Sequence, residues 1–179
     1  MRQRWLVEAD TPHTTTMTVT TMEKLITPEQ RALVQQTWQQ VVPIADTAAR
    51  VFYNRLFEID PQLRVMFDRV EMKSQRRKLI QALAMVVDRL DRIEELVPVI
   101  EALGRRHATY GVSDAHYETV GAALIWTLEK GLGKAWSEEV KAAWTEVYVL
   151  LSKVMRGAAA ESMTARTATH GSASKYGYL

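Results

Sequence analysis

Apolar residues recur at spacings of three and four along most of the chain, and no stretch holds the every-second-residue alternation of a half-buried strand. The stripe Leu33, Val34, Trp38 and Val41 follows Thr27-Pro28-Glu29-Gln30. There threonine caps, proline takes the first helical position, and Gln30 stands where a capping box closes. Pro43 predicts the start of a second helix carrying Ala48, Val51, Phe52, Leu56 and Phe57. Asp60-Pro61 repeats the cap-then-proline signal and predicts a short third helix ending near Met66-Phe67. A fourth begins around Lys73-Ser74 with Leu79, Leu83, Val86, Val87 and Leu90 inside, and a fifth, roughly 94–108, carries Leu96, Ile100, Leu103 and His107. Ser113 caps the sixth, whose inner face runs through Tyr117, Val120, Gly121, Leu124 and Leu128 until Gly131-Leu132-Gly133 breaks it. Ser137-Glu138-Glu139 opens the last, where Val140, Trp144, Val147, Leu151 and Val154 lead along the stripe towards Glu161. The pattern predicts an all-α fold of about seven helices of mixed length, without heptads or repeats.

The same pattern divides the chain. Residues 1–24 are rich in threonine and carry no periodicity, so they read as a flexible N-terminal extension. Residues 25–162 form one domain, and 163–179, rich in Ser, Thr, Gly and Ala, read as a flexible C-terminal tail. A chain of 179 residues is long enough for a full hydrophobic core.

Composition narrows the chemistry. The net charge of +2 is too small to imply nucleic acid, and no basic stripe with interleaved aromatics is present. There are no cysteines, which removes disulfides, iron–sulfur clusters, thiolate zinc sites and covalent haem attachment together. No apolar run approaches the roughly 18 residues of a membrane span, and the first residues lack a signal-peptide apolar stretch. A cytoplasmic location is the expectation.

His107 is the residue on which the chemistry turns. It falls on the apolar side of its helix, behind Arg105 and Arg106, with Gly111 placed to stop the helix. Two readings stand for such a histidine. It is either a core side chain satisfied by a neighbouring carbonyl, or an axial ligand to haem iron.

Six blocks in order carry a resemblance across residues 25–161. They are Phe52-Tyr53-Asn54-Arg55-Leu56-Phe57, Asp60-Pro61-Gln62-Leu63 leading to Phe67, Gln75-Arg76-Arg77-Lys78-Leu79, the stretch from Leu103 to Val112, Tyr117-Glu118-Thr119-Val120-Gly121, and Ala143-Trp144-Thr145-Glu146-Val147-Tyr148. The sequence resembles the bacterial single-domain globins related to the haem domain of flavohaemoglobins, most closely the subgroup from thermophilic and acid-tolerant bacteria. The resemblance implies a globin fold around a non-covalent haem b, with iron held by His107 and Phe67 wedged against the ring. It implies Tyr53 and Gln75 as donors to bound gas, Leu79 lining the ligand pocket, and Tyr117 and Glu161 behind the ligand histidine. Arg106 reads either as a partner for a haem propionate or as a solvated arginine.

Function follows as an expectation. Such a globin binds oxygen reversibly and converts nitric oxide to nitrate. The chain ends at Leu179 without the reductase region of flavohaemoglobins and without a G-x-G-x-x-G loop, so an external NAD(P)H-dependent reductase is the expected partner. A gas-sensing or redox-signalling haem module acting through a partner protein is the alternative. A peroxidase-like activity lacks a distal histidine as acid and base. Monomer and homodimer both remain open.

Overall fold

The structure, a computed structural model, describes residues 26–173, with side-chain surroundings as far as residue 165. The extension expected over 1–24 and the last residues of the chain lie outside that range. Among the described residues there are six α-helices and no strand: α1 Pro28–Val41, α2 Ala45–Ile59, α3 Met72–Asp88, α4 Ile93–Thr109, α5 Asp114–Leu132 and α6 Glu138–Ala173. Four short 3₁₀ segments, Val42–Ile44, Pro61–Phe67, Leu90–Arg92 and Gly133–Ala135, complete the order.

Three departures from the sequence expectation have physical causes. The short third helix is a 3₁₀ segment, Pro61–Phe67, capped by the Asp60 carboxylate accepting from the Gln62 N–H at 3.0 Å. Pro43 sits inside the 3₁₀ turn Val42–Ile44, and α2 begins two residues later at Ala45. The stretch past 163 is helical as far as Ala173. It holds no proline and only one glycine before that point, so nothing interrupts propagation from the packed turns upstream.

Caps set the starts. Thr27 and Gln30 form the reciprocal box, the Gln30 N–H donating to Thr27 Oγ1 at 3.2 Å and the Thr27 N–H to Gln30 Oε1 at 2.9 Å. A cap of this kind contributes about 1 kcal/mol. Glu71, which the sequence reading left without a role, caps α3 by accepting from the N–H groups of Lys73 and Ser74 at 2.8 and 2.6 Å. Gly111 stops α4 with φ +78°, a backbone conformation in which a side chain is strained.

The most extensive pairing is α4 on α6, followed by α2 on α5 and α1 on α6. The α4–α6 crossing is close because Gly104 faces the backbone of Met155, where a Cβ would overlap the Met155 carbonyl. A second close contact sets Gly121 of α5 against the Tyr148 ring of α6. The core is anchored at its far end by Trp144, 2% exposed, whose indole N–H donates to Thr37 Oγ1 at 3.0 Å and whose ring tilts against Trp38 at 6.2 Å. The Thr37 hydroxyl in turn donates to the Leu33 carbonyl at 2.7 Å, so no group in this buried chain lacks a partner. Among the described residues no helix is long and apolar enough to cross a membrane.

Candidate functional site

His107 lies in the last turn of α4, and its ring is fixed by its own helix. The Nδ1–H donates to the carbonyl of Leu103, one turn back, at 2.9 Å. That bond selects the tautomer whose Nε2 carries a free lone pair, which is the arrangement a metal-ligating imidazole requires. His107 lines two cavities, one of about 500 Å³ and one of about 170 Å³, and shares both with Val120, Tyr148 and Met155.

The larger cavity opens between the 3₁₀ segment Pro61–Phe67, the start of α3 and the α4–α5 corner. Leu63, Met66 and Phe67 form its apolar wall, and Gln75 and Lys78 place an amide and an ammonium on it. Leu79 lines the smaller cavity with Phe52 and Leu83. Tyr53 is not itself on either wall. It is buried, 5% exposed, one layer behind Phe67, the two rings meeting edge-on at 5.6 Å. Phe57 braces the same cluster at 5.5 Å from Phe67. Burial pushes the Tyr53 hydroxyl above its ordinary value of 10.0, while the side chain of Gln75, hydrogen-bonded to it, pulls the other way. The hydroxyl therefore stays protonated, a donor, throughout the neutral range. Tyr53 and Gln75 thus meet on the side of the cavity formed by α2 and α3, away from His107 on α4.

Behind His107 the arrangement differs from the expectation. Tyr117 stacks on the imidazole with centroids 6.3 Å apart and planes 26° apart. Its hydroxyl is buried and bonded to nothing, and Glu161 is exposed on α6. The expected Tyr117–Glu161 bridge is not formed. The reason is helical register. The inner face of α6 passes through Leu151, Met155, Ala158 and Ser162, and Glu161 falls one residue off it. Arg156 covers Tyr117 instead, its guanidinium 5.4 Å from the ring centroid. It is held there by the Asp114 carbonyl at 2.8 Å and the carboxylates of Asp114 and Glu118 at 3.4 and 3.7 Å. Desolvation raises the Tyr117 hydroxyl above its ordinary value, with Arg156 opposing the shift.

Arg106 is exposed and on neither cavity wall, which fits the solvated arginine of the two readings; Lys78 lines the larger cavity. Lys78 was legible as the residue one turn after Gln75, on the same face. Two further lining residues were missed. His116 lines the larger cavity and accepts from the Ser113 N–H through Nδ1 at 3.1 Å, the third residue after a cap. Tyr148 lines both cavities and donates to the Tyr117 carbonyl, one turn beyond Trp144 on the same stripe.

An apolar crevice with an imidazole on one wall and the Gln75 amide on another, Tyr53 buried behind it, is an arrangement that suits a haem in an all-helical frame. The comparisons agree. The globin family pattern matches residues 50–155, and the chain belongs to the globin family. It is 31% identical over 135 residues to the flavohemoprotein of Bordetella parapertussis, an alignment covering 74% of this chain and 34% of that protein. It is also 31% identical over 134 residues to an anaerobic nitrite reductase of Oryza sativa subsp. indica, covering 71% of this chain and 91% of that one. The chain spans about a third of the length of the flavohemoproteins it matches. Among solved structures, the neuroglobin of the acoel Symsagittifera roscoffensis shares the fold with a TM-score of 0.64 at 19% identity, over 73% of this chain and 97% of that one.

Proposed function

We propose that this globin holds a non-covalent haem b through His107, binds oxygen reversibly and, as a cytoplasmic protein, converts nitric oxide to nitrate with electrons from a separate reductase. The observation that carries the reading is a cavity lined by the His107 imidazole, whose neutral form has its proton on Nδ1 against the Leu103 carbonyl, and by the Gln75 amide, with Tyr53 buried behind that amide. The residues fit the group: apolar walls for the macrocycle, one neutral nitrogen ligand, and the Lys78 ammonium for a propionate. Haem iron, when bound, supplies the centre at which a diatomic gas is held and activated.

The chain's own residues do the rest. The Leu103 carbonyl keeps the His107 ring oriented and holds the proton of the neutral ring on Nδ1. Phe67 and Leu63 exclude water from the crevice. The protonated Tyr53 hydroxyl and the Gln75 amide offer hydrogen bonds to a ligand that gains negative charge, an interaction of about 1.5–3 kcal/mol. One nitric oxide, one oxygen and one electron yield one nitrate, so each turnover draws one electron from outside. Support for the nitric oxide reaction comes from the flavohemoprotein relatives, and the oxygen-binding reading from the donor pair.

The test is anaerobic reduction of the haem-loaded protein, addition of oxygen, then rapid mixing with nitric oxide. Stoichiometric nitrate with return of the ferric spectrum is the expected result. A protein that takes up no haem, or that yields no nitrate, overturns the reading.

A further inference from the structure

Lys73, Arg76, Arg77 and Ile80 recur at spacings of three and four, so α3 carries a second stripe besides the one that meets the cavity. A period of about 3.6 residues puts Gln75, Lys78 and Leu79 on the opposite face of the helix. The second stripe borders a cleft of about 230 Å³, whose other side is Ala45 and Asp46 in the first turn of α2. Three cations therefore share the cleft with one carboxylate, which leaves its wall with two positive charges in excess.

Those charges are not matched within the protein. Arg76 is the inner cation, its side chain 23% exposed, and its Nε is buried without a hydrogen-bond partner. Its ion pair is a loose contact with Asp46 at 3.7 Å, and that carboxylate is itself 83% exposed. Among the described residues neither Lys73 nor Arg77 forms an ion pair. Glu71, at the start of the same helix, has both carboxylate oxygens on the N–H groups of Lys73 and Ser74. No side chain caps the first turn of α2, so the positive end of that helix adds to the same field.

We propose that this cleft binds the phosphate group of a small molecule, which then ties α2 to α3. A dianion matches the excess charge of the wall. A guanidinium fork takes two oxygens of one phosphate, which leaves the others for Lys73, Arg77 and the N–H groups at the start of α2. A carboxylate offers two oxygens in one plane and a single charge, too few for donors that approach from two helices. Inorganic phosphate, pyrophosphate and the phosphates of a nucleotide share the required chemistry. Ala45 and Ile80 are the apolar side chains of the cleft, enough to flank an anion and too little to seat an aromatic base. The cleft lies away from the cavity of His107, so the inference stands apart from the gas chemistry proposed above.

The test uses the full chain loaded with haem and inorganic pyrophosphate as the probe, with chloride adjusted to hold the ionic strength constant. Calorimetry should show one site, and the melting temperature should rise with pyrophosphate concentration. The haem spectrum should not move. The double variant K73Q/R77Q is expected to bind roughly tenfold more weakly and to lose most of the rise in melting temperature. Both side chains are exposed, so the variant should fold. Asp46→Asn removes the carboxylate of the wall and is expected to bind about threefold more tightly. Lys78→Gln, on the opposite face of α3, should stay within about twofold of the unsubstituted protein. Adenosine diphosphate, run beside pyrophosphate, separates the sources: equal affinity assigns the site to free phosphates, and tighter binding to a nucleotide. Equal pyrophosphate binding by K73Q/R77Q and the unsubstituted protein overturns the proposal. So does a loss in Lys78→Gln as large as in K73Q/R77Q, or succinate that binds as tightly as pyrophosphate.

Discussion

Gly104 of α4 lies against the Met155 backbone of α6, three residues before the histidine that both cavities share. The contact is with main chain, which has no rotamer by which to yield. Gly104→Ala is therefore expected to push α4 outwards and destabilise the protein by about 1–3 kcal/mol, the usual cost of overpacking. Urea unfolding of the haem-free protein measures that loss. Haem titration should show weakened uptake as well, because His107 moves with the helix; unchanged stability and uptake would mean that the crossing relaxes freely.

His107→Ala removes the one nitrogen aimed into the crevice from α4. Haem uptake, followed at the Soret band, is expected to fall by at least a hundredfold, while the melting temperature of the haem-free protein shifts little. Stoichiometric uptake with an unchanged spectrum would sink the ligand assignment.

Tyr53→Phe keeps the ring that packs on Phe52, Phe57 and Phe67 and removes only the hydroxyl. Losing about 1.5–3 kcal/mol of hydrogen bonding corresponds to an oxygen dissociation rate roughly ten- to a hundredfold higher. Carbon monoxide, much less polar when bound, should leave nearly as slowly as before. Stopped-flow exchange of the two gases checks both, and Gln75→Leu combined with Tyr53→Phe should be non-additive if the pair shares one ligand.

The two tyrosines behind the histidine should respond in opposite directions to loss of their hydroxyls. Tyr148 donates to the Tyr117 carbonyl, so Tyr148→Phe costs about 1 kcal/mol. Tyr117 buries a hydroxyl with no partner, so Tyr117→Phe should raise stability by about 1 kcal/mol. Chemical unfolding of the two variants side by side decides it, and a Tyr117→Phe that is clearly destabilised would show that the hydroxyl has a partner in solution.

Burial raises the hydroxyls of Tyr53, Tyr117 and Tyr148 above the ordinary 10.0. Each is favoured in its neutral form by folding. The stability they contribute is fully present below pH 10 and is lost as the pH climbs through the raised folded values, because the unfolded chain ionises first. Absorbance titration near 295 nm should show three of the six tyrosines titrating late and together with unfolding.

Much of this was legible in the sequence because it is local. Thr27-Pro28 and Asp60-Pro61 announce their caps within four residues, and the spacing of Leu96, Ile100 and Leu103 places His107 on the inner face without knowledge of any partner. What escaped depends on register between distant helices. A 3.6-residue period carried from Trp144 drifts enough over seventeen residues that Glu161 leaves the inner face, and only the packed structure reveals Arg156 over Tyr117. Lys78 rather than Arg106 stands at the cavity for the same reason: both are cations near a turn, and tertiary placement alone distinguishes them.

The bond between Thr37 and Trp144 spans 107 residues of chain. On a ribosome adding residues one at a time, α1 is finished long before its indole partner exists. Until then Trp38 and Val34 have lost the face they are shaped to meet, and the first helices wait as a partly solvated assembly. Closure of the core is thus timed by the emergence of α6, so the crevice around His107 takes its final form only once that helix is available to pack.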